Sequence, residues 1–297
     1  MTYSKEAIPV VGSTRVKVIY QGQTALLLLI IVEENGPTLL GRNWLHKIKL
    51  NWNQIHYTPS TGLQDLLGRY EEVFQEGLGT FKGTEVKIHV SPDAVPRFCK
   101  ARTVPYSMRG KTEEELTRLV QEGTLEPVEF SDWATPIVCV LKSDQKTVRI
   151  CGDFRTTINP VSKLDRYPIP KVEDLFATLE RGKTFTKLDL SQAYQQLPLD
   201  AESRKFVVIN TQKGLFRYTR MPYGISSAPG IFQRVMENLL QDIPGVAVYI
   251  DDILITGETE ADHLRFLEEV LRRLAKAGLR AKKRKCTFMV PSVSYLG

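Results

Sequence analysis

Two adjacent acids, Asp251 and Asp252, interrupt the stretch Val246-Ala-Val-Tyr-Ile-Asp-Asp-Ile-Leu-Ile255, which is otherwise almost wholly apolar. Aspartates are common at hairpin turns. Both arms here, however, are apolar enough to be buried, and neighbouring carboxylates in such a setting repel one another and lose hydration unless a cation compensates. A third acid, Asp189, stands near the end of a second apolar strand, Phe185-Thr-Lys-Leu-Asp-Leu-Ser-Gln-Ala-Tyr194, far enough upstream for a hairpin and a helix to intervene. Three aspartates meeting at strand ends make a hard, oxygen-only site of the type that binds magnesium or manganese. Two such ions can activate a hydroxyl nucleophile and stabilise a leaving pyrophosphate, the chemistry of nucleotidyl transfer. Tyr194 follows the strand of Asp189 and reads either as a core tyrosine or as the floor beneath an incoming sugar, where an aromatic ring would collide with a 2′-hydroxyl.

These acids must be positioned by a regular scaffold, and the sequence supplies one. Thr112 with Glu115 reads as a capping box opening a helix with Leu116, Leu119 and Val120 on one stripe, closed by Gly123. Helical spacing returns at Val172, Leu175, Phe176 and Leu179, then from Pro229 to Leu240, and again from Thr259 to Gly278. Strands are predicted at 137–141, 147–151, 184–190, 205–210, 216–221 and 246–256. Helices mixed with antiparallel pairs define an α+β domain. Residues 1–52 read instead as a small all-β piece: Arg15 to Tyr20 alternates, Gln21-Gly22-Gln23 turns, and Ala25 to Val32 is a buried apolar strand before Gly36-Pro37 breaks the chain. Residues 53–97, rich in Gly and Pro, read as linker and N-terminal arm, leaving 98–297 for the larger domain.

Composition excludes several classes. At 25% charged and 42% hydrophobic, the 297 residues are an ordinary globular mixture. The longest apolar run, Ala25 to Val32, is eight residues, against the roughly 20 that span a bilayer, so no membrane association is expected. The opening Met-Thr-Tyr-Ser-Lys-Glu lacks a signal-peptide pattern. An intracellular protein, cytoplasmic or nuclear, is the expectation. The net charge of +6 permits a polyanionic partner, and eight basic residues without an acid fall between Arg272 and Lys285. Cys99, Cys139, Cys151 and Cys286 have no paired spacing, which argues against zinc and disulfides.

Asp189 in Leu-Asp-Leu-Ser-Gln-Ala-Tyr, the Tyr249-Ile-Asp-Asp252 box, Met221-Pro-Tyr-Gly224 with Ser227-Ala-Pro-Gly-Ile-Phe-Gln233, and Arg149-Ile-Cys-Gly-Asp-Phe-Arg155 together resemble the successive motifs of a reverse transcriptase. Their spelling and order are similar to the polymerases of gypsy-type LTR retrotransposons, over roughly residues 65 to 297. The resemblance implies a palm with fingers and an RNA-directed DNA polymerase using two Mg²⁺ (or Mn²⁺) ions. Its partners would be an RNA or DNA template with primer, deoxynucleoside triphosphates and, in some arrangements, a second Pol subunit. It makes Asp189, Asp251 and Asp252 the metal ligands and Tyr194 the gate against ribonucleotides. It places Lys142 and Arg149 on the incoming triphosphate, Tyr223 beside the nucleotide where retroviral enzymes carry glutamine, and Lys285 as general acid for the pyrophosphate. The other basic residues would serve the phosphates of the template-primer duplex.

The stretch Leu39-Leu-Gly-Arg-Asn43 after the Ala25 to Val32 strand is similar to the closing helix region of a retropepsin-like aspartic protease. Such a protease works with a shared pair of carboxylates, and the first aspartate of this chain is Asp65, so no proteolysis is expected. Ending at Tyr295-Leu296-Gly297, where the primer grip of the family begins, the sequence suggests a polymerase impaired by truncation and without RNase H activity. The alternative reading is a non-catalytic retroelement relic that at most binds nucleic acid.

Overall fold

A computed structural model describes residues 10–20, 22–32, 42–49, 61–142, 145–165, 167–180 and 182–294. The chain forms two compact units, residues 1–58 and 59–297. Gly36-Pro37, Leu39 to Gly41, residues 50–60 and Tyr295 to Gly297 lie outside the described residues.

In the first unit, strands β1 (Val10–Tyr20) and β2 (Gln23–Val32) pair antiparallel with Tyr20 opposite Gln23, around a turn in which Gly22 takes a φ of 79°. The short helix α1 (Arg42–Leu45) is tied to this ribbon by the Trp44 indole N–H, which donates to the Leu28 carbonyl at 2.8 Å. The apolar strand expected to be buried is not: only Leu27 of β2 is enclosed, while Leu26 and Ile30 are 58% and 57% exposed. A ribbon of two strands has no second sheet, and among the described residues α1 with those after it covers only the patch around Leu27 and Ile48.

The second unit opens with α2 (Thr61–Arg69), in the stretch read as linker. Leu63, Leu66, Val73, Val86 and Ile88 from this stretch are buried in the main core. Glycines at 62 and 68 obscure the helix, yet Leu63, Leu66, Leu67 and Tyr70 hold the i, i+3, i+4, i+7 spacing that marks it. Helix α3 (Tyr106–Gln121) starts just after Pro105, so Thr112 lies mid-helix and there is no capping box there. The Thr112 hydroxyl donates back to the Met108 carbonyl at 2.8 Å, and Glu115 pairs with Arg118.

Five strands, β3 (Leu125–Val128), β4 (Thr135–Leu141), β5 (Val148–Gly152) and, further along, β7 and β8, form one sheet. Helix α4 (Val172–Leu179) then leads to β6 (Thr184–Asp189). Residues 205–210, read as strand from Lys205, follow a helical turn, α5 (Ala201–Arg204), which Asp200 caps by accepting from the Ser203 N–H at 2.9 Å. Strand β7 (Val208–Thr211) therefore begins late, and β8 (Gly214–Tyr218) returns beside it. Strand order is β3-β8-β7-β4-β5, antiparallel apart from the β4–β7 pair.

Helix α6 (Ala228–Leu240), strands β9 (Val246–Tyr249) and β10 (Asp252–Gly257), helix α7 (Glu260–Ala277) and strand β11 (Thr287–Val290) complete the unit. α7 is stopped at both ends as its sequence requires: Thr259 accepts from the Asp262 N–H, and Gly278 adopts a φ of 73°. A second antiparallel sheet runs β11-β6-β10-β9. Side chains alternate across it. Leu188, Val248, Ile253 and Ile255 join α6 and α7 in the main core, while Ala247 and Leu254 meet Leu175 and Leu179 of α4. Lys187 and Asp189, and Asp252 across from Asp189, thus share the sheet face turned away from α6 and α7.

His263 of α7 is fully buried against β6. Its Nε2 lies 2.8 Å from the Thr186 hydroxyl and its Nδ1 3.0 Å from that of Thr184. The Met289 N–H also donates to the Thr186 oxygen, and a neutral ring serves both threonines, one nitrogen donating and the other accepting. No described helix is long and apolar enough to cross a membrane.

Candidate active site

The hairpin of β9 and β10 closes in two residues, since Tyr249 pairs with Asp252 across Ile250-Asp251. Ile250 adopts a φ of 55°, an uncomfortable left-handed conformation for a β-branched residue, of order 1–3 kcal/mol. The side chain that holds it there is Gln233 of α6, itself fully buried. Gln233 Oε1 accepts from the Ile250 N–H at 2.6 Å, and its amide nitrogen donates to the Val248 carbonyl at 2.9 Å and to Glu237 at 2.7 Å. The hydroxyl of Tyr167 donates to the other Glu237 oxygen. Gln233 ends the stretch Ser227-Ala-Pro-Gly-Ile-Phe-Gln233, but a side chain that bonds to backbone distant in sequence leaves no local signal of its role. Replacing Gln233 by Leu strands the Ile250 donor and the Val248 acceptor and is expected to cost roughly 2–3 kcal/mol, read as a lower urea midpoint with unchanged slope.

Asp189 and Asp252 are direct partners across β6 and β10, and the Leu190 N–H donates to the Asp251 carbonyl at 3.1 Å. All three acids thus occupy one corner of the sheet. Among the described residues, no three His, Cys, Asp or Glu side chains are drawn into a metal-holding group. Asp189 and Asp252 are turned instead to lysines: Lys285 Nζ lies 2.9 Å from Asp189 Oδ2, and Lys187 Nζ lies 2.8 Å from Asp252 Oδ2. The Asp251 carboxyl reaches solvent, yet it is pushed above the usual carboxylate range, first by desolvation and then by the charges of Asp252 and Asp189, with Lys285 pulling the other way.

An aromatic row flanks this corner. The Tyr194 ring centroid is 5.5 Å from those of both Tyr223 and Phe232, and the Arg149 guanidinium lies over Tyr223 at 5.3 Å. Burial pushes both tyrosine hydroxyls up to about 12, with the Asp251 charge adding to each. Arg149 is brought to this row by the β4–β5 hairpin, where it pairs with Val140. Lys142 closes the same hairpin through its N–H to the Thr147 carbonyl, and its ammonium is 3.7 Å from Glu115.

The basic run divides. Arg272 and Arg273 grip Glu269 and hold its carboxyl down to about 2, Arg273 also donates to the Leu239 and Gln241 carbonyls, and Arg280 donates to the Glu76 carbonyl. Only its last part reaches the acids: the Lys282 N–H donates to the Asp189 carbonyl, and the helical turn Lys283–Lys285 follows.

A sheet corner of three aspartates, fronted by a hairpin bearing cations, is the architecture of a polymerase palm with fingers. Residues 140–297 match the family of reverse transcriptases (RNA-dependent DNA polymerases), and the chain belongs to that family. Among curated proteins it is similar to the retrovirus-related Pol polyproteins of transposons opus and gypsy from Drosophila melanogaster, 32% identical over 79% of this chain and 31% over 69%. It spans 24% and 20% of their lengths. Among solved structures, the foamy viral protease-reverse transcriptase in complex with RNA/DNA hybrid superposes with a TM-score of 0.74 at 23% identity, covering 99% of this chain and 44% of that one. The same enzyme in complex with dsDNA gives 0.71 at 26% identity, covering 79% and 49%. The α+β fold and the Pol origin read from the sequence both hold.

Proposed function

We propose that this chain is the palm-and-fingers core of an RNA-directed DNA polymerase that joins a deoxynucleotide to a primer 3′-hydroxyl. The observation that carries the reading is Asp189 facing Asp252 across β6 and β10, with Asp251 on the adjoining turn. These carboxylates suit Mg²⁺ or Mn²⁺: the donor set is oxygen only, and a cation would offset the desolvation and the neighbouring charges that raise Asp251. Two ions held by Asp189, Asp251 and Asp252 would activate the hydroxyl and neutralise the departing pyrophosphate.

The remaining residues bind and orient. Arg149, cradled on Tyr223, and Lys142 offer cations to the triphosphate, and Lys285 beside Asp189 can hand a proton to the leaving group. Tyr194, wedged between Tyr223 and Phe232, cannot swing aside for a 2′-hydroxyl. The foamy viral relative is complexed with RNA/DNA hybrid, and a template-primer duplex is the partner proposed here, with the Lys283–Lys285 turn on its phosphates.

The test is extension of an oligo(dT) primer on poly(rA) with dTTP and Mg²⁺. Extension abolished by EDTA is expected, and its absence under all divalent ions would overturn the reading. Tyr194→Val is expected to lower discrimination against ribonucleotides by at least about tenfold, as competing rNTP and dNTP incorporation would show.

A further inference from the structure

Lys187 has no part in the chemistry described so far, yet it lies inside the acidic corner. It precedes Asp189 by two residues on β6, so the alternation of a strand puts both on one face. Asp252 lies opposite Asp189 on that face, and Lys187 reaches it diagonally, with Nζ 2.8 Å from Asp252 Oδ2. The two lysines of the corner differ in setting. The Lys285 side chain is 56% exposed, on a short helical turn, and its partner Asp189 17%, whereas Lys187 is 23% exposed and Asp252 22%. Water reaches the first ammonium more than the second. An ammonium fixed on Asp252 Oδ2 takes up a lone pair of that oxygen and repels any second cation that approaches.

We propose that Lys187 is a resident counter-ion of the carboxylate site, a positioning residue that holds Asp252 and competes with a divalent ion for it. This rests on the reading of Asp189, Asp251 and Asp252 as ligands of such ions. The affinity of the corner for metal is then set by Lys187 as well as by the three aspartates, and neutralising this lysine strengthens metal binding instead of weakening it.

The experiment is a titration of the whole chain with Mn²⁺ in the absence of nucleotide, following free ion by electron paramagnetic resonance. Lys187→Met is expected to bind Mn²⁺ about tenfold more tightly than the wild type, and Lys187→Arg, which keeps the charge, to match the wild type. Lys187→Gln keeps a hydrogen-bond donor for Asp252 and removes the charge, so it is expected to gain affinity as Lys187→Met does. Unchanged or weaker binding in both neutral variants would overturn the proposal, because it would make the lysine a passive or supporting neighbour. Failure of the underlying reading looks different: the wild type and Asp251→Asn would then bind Mn²⁺ alike.

Discussion

Asp251→Asn is expected to reduce primer extension by at least about 10³-fold, the scale of loss when a group that acts as one unit with its neighbours is removed. The same substitution is expected to leave the melting temperature unchanged or higher. The sign follows from the site: a carboxyl whose value is raised in the folded chain opposes folding once it ionises, and Asp251 is raised by desolvation and by Asp252 and Asp189. Asparagine keeps the shape and removes that charge. Extension assays and thermal melts on the same preparation separate the two effects. Loss of activity together with a large drop in melting temperature would show that Asp251 holds the turn rather than the chemistry.

The second large effect concerns acid stability. Burial holds the His263 imidazole down to about 4 from its ordinary 6.5. Its neutral form is needed for one ring nitrogen to accept while the other donates between Thr186 and Thr184, whereas the unfolded chain protonates it freely. The stability it supports is therefore complete above pH 6.5 and is lost as the pH falls towards 4, by about 3 kcal/mol in all. Below 4 this residue adds nothing more. His263→Gln is expected to be weaker at pH 7 but flatter between pH 6.5 and 4 in urea unfolding. If both proteins lose stability in parallel over that window, the acid sensitivity lies elsewhere.

The carboxylates were legible because acids are conspicuous where a strand should be apolar, and Asp189, Asp251 and Asp252 each end or join such a strand. Helices α6 and α7 were legible for a similar reason, with Pro229 and Gly278 marking their ends. What stayed hidden acts through partners distant in sequence. Gln233 bonds to Val248 and Ile250, Lys187 reaches Asp252 from another strand, and His263 meets β6 from α7. Local patterns also misled: the Thr112-to-Glu115 spacing lies within a helix already begun, and the glycines around Leu63 and Leu66 disguised α2. Tertiary packing decided both.

The left-handed Ile250 sets comfort against performance at a single position. A glycine there would relax the backbone, but it would forfeit the packing of the isoleucine side chain against the main core. It would also let the turn wander, and a pair of acids that wanders cannot hold reacting atoms in line. Engineers seeking a hardier enzyme should leave this one awkward residue alone.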